Sequence, residues 1–434
     1  MKRIFHILIA TSAFLTAGAQ ETVYPAKPHQ GVLFIRNGII HVGNGTVIDN
    51  GTIRIENNKI TAVGKDIAPT SGSNVIDAAG KHVYPGLILA QTDLGLKEIP
   101  TVRASNDASE LGEYNPSVRS IVAYNTDSKL INPLRQVGIL LAHVAPESGS
   151  ISGSSSVVQL DAWNWEDAAY KTDNGFHYNM PDLINRPQGR RFFMTAAEAP
   201  SDPMKSGLEE IERFKAFLKE AKAYHVTADK SSVNLKFEAL KGLFSKSQKL
   251  FIHGDVVRQL LMAIDIKQEL DIDVVIVGGS ESYHIADLLK KNNIPVILNQ
   301  LMDLPTLADD LIDQPYRTPA ILQKAGVLFA INDNDVNTRY RNLPYNAGTA
   351  AAYGLTKEEA LATITLNAAK ILGIDDRTGS IEAGKDANIV ISTGDILDMR
   401  TNNITHAFIQ GRSIELNDKQ KQLYERYKYK YNLN

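Results

Sequence analysis

The stretch Val83-Tyr84-Pro85-Gly86-Leu87-Ile88-Leu89-Ala90-Gln91-Thr92-Asp93 restricts the fold of this chain more than any other. Pro85-Gly86 is a turn signal, and the apolar run Leu87 to Ala90 fits a strand buried in a parallel sheet. Gln91 and Asp93 follow at i and i+2, so both side chains leave the strand on one face. The stretch predicts a parallel strand that delivers an amide and a carboxylate at its C-terminal end.

The second half of the chain repeats this logic. Leu250-Phe251-Ile252-His253 reads as a strand, Val256 to Leu270 as an amphipathic helix, and Val274 to Val277 as the next strand. Ala286 to Lys291 falls in a helix, Pro295 to Leu298 in a strand, Pro319 to Lys324 in a helix and Val327 to Ile331 in a strand. Short apolar strands alternating with helices indicate an α/β fold with a parallel sheet. Thr356-Lys357-Glu358-Glu359 is a capping box that opens a helix running to Gly373, and Ser206 with Glu209 opens another. Between Leu96 and Arg191 only Gly138 to Val144 reads as a strand. Both ends of the chain are β-rich. Leu33 to Ile35, Ile39 to Val42, Thr52 to Ile55 and Ile60 to Val63 stand near one end, with Ala387 to Ile391 and Ile404 to Ile409 near the other.

At 434 residues, 43% hydrophobic and 22% charged, the chain has the composition of a large globular protein. A formal net charge of −3 carries no nucleic-acid footprint. Lys2 and Arg3, the apolar Ile4 to Leu15 and the small residues Ala17-Gly18-Ala19 form a secretory signal pattern. Export to the periplasm or beyond, after cleavage near Ala19, is therefore expected, with no membrane span in the mature chain. The apolar run is too short to cross about 30 Å of hydrocarbon. No cysteine is present, so disulfides, thiolate ligands and a cysteine nucleophile are excluded.

Val83 to Asp93 resembles the first barrel strand of the amidohydrolase superfamily, P-G-L-I-D-x-H-x-H. Asn367-Ala368-Ala369-Lys370-Ile371-Leu372-Gly373, with Gly379-Ser380-Ile381-Glu382-Ala383-Gly384-Lys385-Asp386-Ala387-Asn388, resembles the C-terminal signature of its imidazolonepropionase-like branch. The resemblance implies a (β/α)8 TIM-like barrel plus a small β-sandwich composite domain built from both termini. The implied division is residues 1–19 signal, 20–82 and 376–417 sandwich, 83–375 barrel and 418–434 tail. It also implies a hydrolase of non-peptide carbon–nitrogen bonds, acting on a small-molecule amide, cyclic amide or dipeptide with a divalent metal, zinc foremost. Many barrel enzymes of this superfamily oligomerise, so the resemblance implies a homo-oligomer, or a hetero-oligomer with an amidohydrolase relative.

The implied metal positions carry altered residues. Gln91 and Asp93 replace the histidine pair, and Leu89 replaces the preceding aspartate. His253 matches the metal-binding histidine of a later strand, although strand-end histidines also serve as structural hydrogen-bonders. Gapless alignment of the last strand puts Asn334 at the catalytic aspartate, with Asp333 and Asp335 on either side. A one-residue shift presents one of those carboxylates instead. A neutral amide takes no proton from water as a carboxylate does. Catalytic zinc wants three His, Asp or Glu ligands and an open position, and Gln91 is a poor donor to such an ion. Two readings remain open: a metal-dependent hydrolase, or a silent homologue without metal that serves as a binding or partner subunit.

Ser148 to Ser156 is rich in serine and glycine and precedes Gln159, Asp161, Trp163 and Trp165. The segment reads either as a wall or lid of the substrate pocket, with those four residues as pocket candidates, or as an insertion packed on the barrel or a partner. Tyr424 to Tyr431 mixes bases and aromatics and reads as a helix packing its tyrosines on the protein.

Overall fold

The computed structural model describes residues 24–99, 101–184, 202–227, 232–299, 301–302, 304–305, 310–333 and 339–433. The signal pattern at 1–19 and the candidates Asn334 and Asp335 lie outside the described residues.

One sheet is assembled from both ends of the chain. It contains β1 (Val32–His41), β2 (Val47–Glu56), β3 (Lys59–Gly64), β4 (Asn74–Asp77) and β5 (His82–Pro85). Its C-terminal members are β14 (Ile389–Ser392), β15 (Ile404–Ile409) and β16 (Arg412–Ser413), in the order β16-β15-β14-β5-β1-β2-β3 with β4 beside β1. The two short strands expected at 33–35 and 39–42 are one strand. Asn37 adopts φ 62° and the register shifts between Ile35 and Gly38, so the Asn-Gly signal marks a bulge and not a turn. Leu33, Ile35, Ile53, Ile55, Val83, Ile389 and Phe408 form its core.

The second sheet is the nearly closed barrel. Its strands are β6 (Leu87–Thr92), β7 (Ile139–Val144), β8 (Ile151–Gln159), β9 (Ala169–Asn179), β10 (Lys249–Gly254), β11 (Val274–Gly278), β12 (Val296–Leu298) and β13 (Phe329–Ile331), in sequence order. Every strand contributes to one interior cluster that includes Ile88, Ala90, Leu141, Val157, Tyr170, Phe251, Val275, Ile297 and Ala330. The alternate residues, such as Leu250, Ile252, Val274 and Ile276, pack with Ile211, Phe214, Leu218, Leu260 and Ala263 of the surrounding helices. A side chain bridges the seam between the first and last strands. Asn332 accepts from the Gln91 N–H at 3.1 Å and donates Nδ2 to the Gln91 carbonyl at 2.8 Å. The amide thus mimics a ladder partner.

One strand runs backwards. β8 is antiparallel to both β7 and β9, whereas β6–β7 and every pair from β9 to β13 are parallel. Only residues 145–150 join β7 to β8. A parallel crossover needs a dozen residues or more, so this connection forces a hairpin. The regular (β/α)8 pattern therefore breaks at β8.

The capping box at Thr356 forms as expected, with Glu359 N–H donating to Thr356 Oγ1. The helix it opens stops at Thr363, and Leu366–Leu372 follows as a separate helix ending at Gly373, φ 66°. Ala368, Ile371 and Leu372 of that second helix join the interior cluster and close the N-terminal end of the barrel. Lys249 Nζ lies 2.6 Å from the Ile371 carbonyl, and Lys171 Nζ 2.9 Å from that of Gly373. These ammonium groups answer the carbonyls and partial negative charge of a helix C-terminus. The helix expected to open at Ser206 begins at Pro203, with Asp202 accepting from the Lys205 N–H as its cap. The C-terminal helix Lys419–Tyr431 buries none of its residues. Its tyrosines do not pack on the body of the protein. Lys428 sits over Tyr424, and Lys430 over Tyr427 and Tyr431.

Candidate functional site at the barrel mouth

The site is built from the end of β6. Leu89 pairs with Ala142 and Thr92 with Val144, so three steps on β6 oppose two on β7. This bulge alters the direction of the following side chains. Gln91 is buried, its backbone held by Asn332, and its Oε1 finds no hydrogen-bond donor among the described residues. Asp93 is also buried, and both its oxygens are engaged. Tyr340 donates its hydroxyl to Oδ1, and Lys97 Nζ lies 3.0 Å from Oδ2. Burial and the Asp93 carboxylate both push the Tyr340 phenol up, so it remains a donor. Lys97 also reaches Glu147 Oε2 at 2.9 Å. Burial opposes its charge, but hydrogen bonds to Glu147 and Asp93 outweigh that and raise its pKa. Burial raises the Glu147 carboxyl, and the Asp93 charge adds to the rise.

Turn chemistry places Lys97. The Leu96 N–H donates to the Asp93 carbonyl at 2.9 Å, and Gly95 adopts φ 72°. A Cβ at Gly95 would stand 2.6 Å from the Tyr124 ring. Only glycine fits there, and the turn folds the lysine back over the strand end.

His253 at the end of β10 has neighbours that the sequence reading missed. His177 of β9 places Nδ1 2.8 Å from His253 Nε2, and its ring stacks on Phe251 at 4.9 Å. His143 of β7 lies 5.5 Å from His177 between ring centroids. Its Nδ1 donates to the Ala90 carbonyl at 2.9 Å, and its Nε2 meets the Asn174 side chain at 2.9 Å. Three imidazoles thus stand inside the barrel. Burial lowers all three, His143 and His253 to about 4 and His177 well below 6.5. They are neutral at pH 7. His177 Nε2 is buried with no hydrogen-bond partner among the described residues. The usable signal was the alternation Leu141, His143 along a strand already legible; His177 fell in a stretch with no readable pattern.

Asp333, one of the three last-strand candidates, lies two residues beyond the β13 end, fully buried, and accepts from Asn346 Nδ2 at 3.0 Å. The other set of candidates lies elsewhere. Because β8 is reversed, Gln159, Asp161, Trp163 and Trp165 stand at the N-terminal end of the barrel, away from Asp93 and His253. Gln159 and Asp161 are structural there. Asp161 Oδ1 lies 2.6 Å from Arg135 and its Oδ2 accepts from the Ala26 N–H at 2.8 Å. Arg412 reaches Gln159 Oε1 at 3.2 Å and the Asp161 carbonyl at 3.1 Å. Trp163 is exposed against Tyr24, and Trp165 is half-buried. The Ser/Gly segment forms most of β8 itself. Gly149 and Gly153 lie against the backbone of residues 112–118, where an added Cβ would meet Gly112 O at 2.6 Å and Val118 O at 2.7 Å. Close packing of chain on chain explains its small residues.

Among the described residues, these groups as placed offer a divalent metal few free lone pairs. A zinc site needs converging nitrogen and oxygen ligands with free lone pairs. Here Gln91 is neutral, Asp93 is held by an ammonium and a phenol, and His253 Nε2 faces another imidazole. Among the described residues, no group of three His, Asp or Glu side chains could hold a metal ion.

Comparison with known proteins agrees with the architecture. The amidohydrolase family model matches residues 329–414. The imidazolonepropionase of Thermoplasma volcanium is 24% identical over 390 residues, covering 79% of this chain and 84% of that protein. The 5'-deoxyadenosine deaminase of Methanobrevibacter smithii is 21% identical over 373 residues, 79% of each chain. A crystal structure of an amidohydrolase from Thermotoga maritima superposes with a TM-score of 0.76 at 25% identity, covering 88% of this chain and 99% of that one. An adenosine deaminase from Xanthomonas campestris with bound zinc shares the fold, with a TM-score of 0.53 at 15% identity over 95% and 99% of the two chains. Divalent metals are typical of amidohydrolase superfamily members. With its barrel, its terminal sheet and its C-terminal signature, this chain belongs to the amidohydrolase superfamily of hydrolases, in the imidazolonepropionase-like branch.

Proposed function

We propose that this chain works without a metal of its own, as a binding or partner subunit that pairs with an active amidohydrolase relative. One observation carries the reading: the carboxylate at position 93 is neutralised within the chain by Lys97 and hydrogen-bonded by Tyr340. A buried carboxylate so engaged is a poor ligand to an incoming ion. The neutral Gln91 beside it supports the same reading. Export fits the Lys2-Arg3 and Ile4–Leu15 pattern and the absence of cysteine, and places the pair in the periplasm or outside the cell.

A second reading keeps hydrolysis of a non-peptide carbon–nitrogen bond in an amide, cyclic amide or dipeptide. It is favoured by His253, at the end of β10, and Asp333, two residues beyond the end of β13. A divalent metal would supply the activated water.

Metal analysis of the purified mature chain for zinc, manganese and iron, with assays on cyclic amides and dipeptides, separates the two. The silent form predicts substoichiometric metal and no turnover, with binding gained in the Gln91→His, Asp93→His double variant. Stoichiometric metal and a turnover abolished by His253→Ala would establish the hydrolase.

A further inference from the structure

We propose that the Lys97 ammonium is a tethered stand-in for a divalent cation, and that without it Asp93 and Glu147 form a cation-binding site at the barrel mouth. The inference rests on the reading that the chain carries no metal of its own, and it names what replaces one.

The geometry is that of ligands around an ion. Lys97 Nζ lies 3.0 Å from Asp93 Oδ2 and 2.9 Å from Glu147 Oε2, so two carboxylates converge on one positive centre. They come from the ends of neighbouring parallel strands. Asp93 follows β6, Glu147 lies three residues beyond β7, and the Ala145 N–H donates to the Thr92 carbonyl at 2.9 Å to keep the two ends together. The Glu147 backbone is fixed in turn by its N–H bond to the Ala108 carbonyl at 2.8 Å. Tyr340 holds the second oxygen of Asp93 and would leave Oδ2 aimed at the vacated position. The Asp93 side chain is only 5% exposed, so it cannot simply turn to solvent when the ammonium is removed. Two carboxylates facing each other without a cation repel, and hard divalent ions or lanthanides relieve that repulsion through oxygen ligands.

The test uses the mature chain, with Lys97→Met as the variant and terbium as the probe, because the Tyr340 ring is placed to sensitise its emission. The variant is expected to bind terbium, calcium and manganese with Kd on the order of 0.1–1 mM, the range of sites with few carboxylates. Its Tm is expected to fall in chelator and to recover with calcium. Wild type and Lys97→Arg should show neither response. Adding Glu147→Gln to Lys97→Met should abolish the terbium signal. If Lys97→Met does not fold in chelator, calcium-dependent recovery on refolding is the readout. A Lys97→Met chain indifferent to all three cations, beside a metal-free wild type, overturns this inference and leaves the proposed function standing. A wild type that takes up metal stoichiometrically overturns both.

Discussion

His177 Nδ1 and His253 Nε2 face each other at 2.8 Å inside the barrel, with His143 beyond them. One of the two facing nitrogens carries a proton and the other a lone pair, so the pair is satisfied only while it holds fewer protons than two cations would. Burial keeps all three imidazoles well below the usual 6.5. Below that pH the unfolded chain takes up protons that the folded chain refuses. Stability is therefore complete above pH 6.5 and is lost as pH falls toward about 4. Three such groups give a slope of up to roughly 4 kcal/mol per pH unit. Urea midpoints at pH 7.5, 6 and 5 read it, and His177→Leu should shrink the slope by about a third. Midpoints unchanged across that range would refute the assignment.

Asn332 closes the seam between β13 and β6 through both polar atoms of its side chain, and also donates to Asn299 Oδ1 at 2.9 Å. Asn332→Leu preserves bulk but strands the N–H and C=O of Gln91. The expected loss is about 2–4 kcal/mol. Hydrogen exchange should accelerate at Gln91 before any distant amide. A variant as stable as wild type would show that water replaces the amide there.

Asp161 lies between Arg135, Arg412 and the backbone of Ala26 at the closed end of the barrel. Asp161→Ala leaves two buried guanidinium groups without their carboxylate, which costs about 3–5 kcal/mol. It also unfastens residues 24–30, so limited proteolysis should cut near Tyr24 in the variant and spare the parent. Equal cleavage of both would show that the strap is held elsewhere.

Gly95 is the pivot of the turn that brings Lys97 over Asp93. Gly95→Ala meets both a strained φ and the Tyr124 ring. A loss of about 1–3 kcal/mol is expected, accompanied by partial release of Lys97. The variant should therefore acquire part of the terbium emission predicted for Lys97→Met. Unchanged stability and no emission would dissociate the turn from the ion pair.

The parallel strands β10 to β13 were legible because each is a short apolar run between turn signals. β8 was not, because Ser152, Ser154, Ser155 and Ser156 are buried by hydrogen bonding and not by hydrophobicity. Ser154 Oγ donates to Asp173 at 2.7 Å and Ser155 Oγ to the Gly175 carbonyl at 3.1 Å. A buried serine strand has the composition of a loop. The altered pair Gln91 and Asp93 was visible at once, since both follow a recognisable strand. Lys97 was not, because its role depends on a turn and on Glu147, fifty positions further along. His143 and His177 belong together only through strand pairing, which no local spacing records.

The reversal of β8 has a consequence for how this molecule meets its surroundings. In a regular barrel every connection after a strand adds to the rim where chemistry occurs. Here the hairpin after β8 is delivered to the opposite pole and takes both tryptophans with it, with Trp163 against the strap at Tyr24 and Asp161 against the sheet strand that carries Arg412. The rim is thereby left with one fewer loop to vary. The opposite pole, usually a passive footing, gains a fixed aromatic corner on which natural selection can act separately from the pocket.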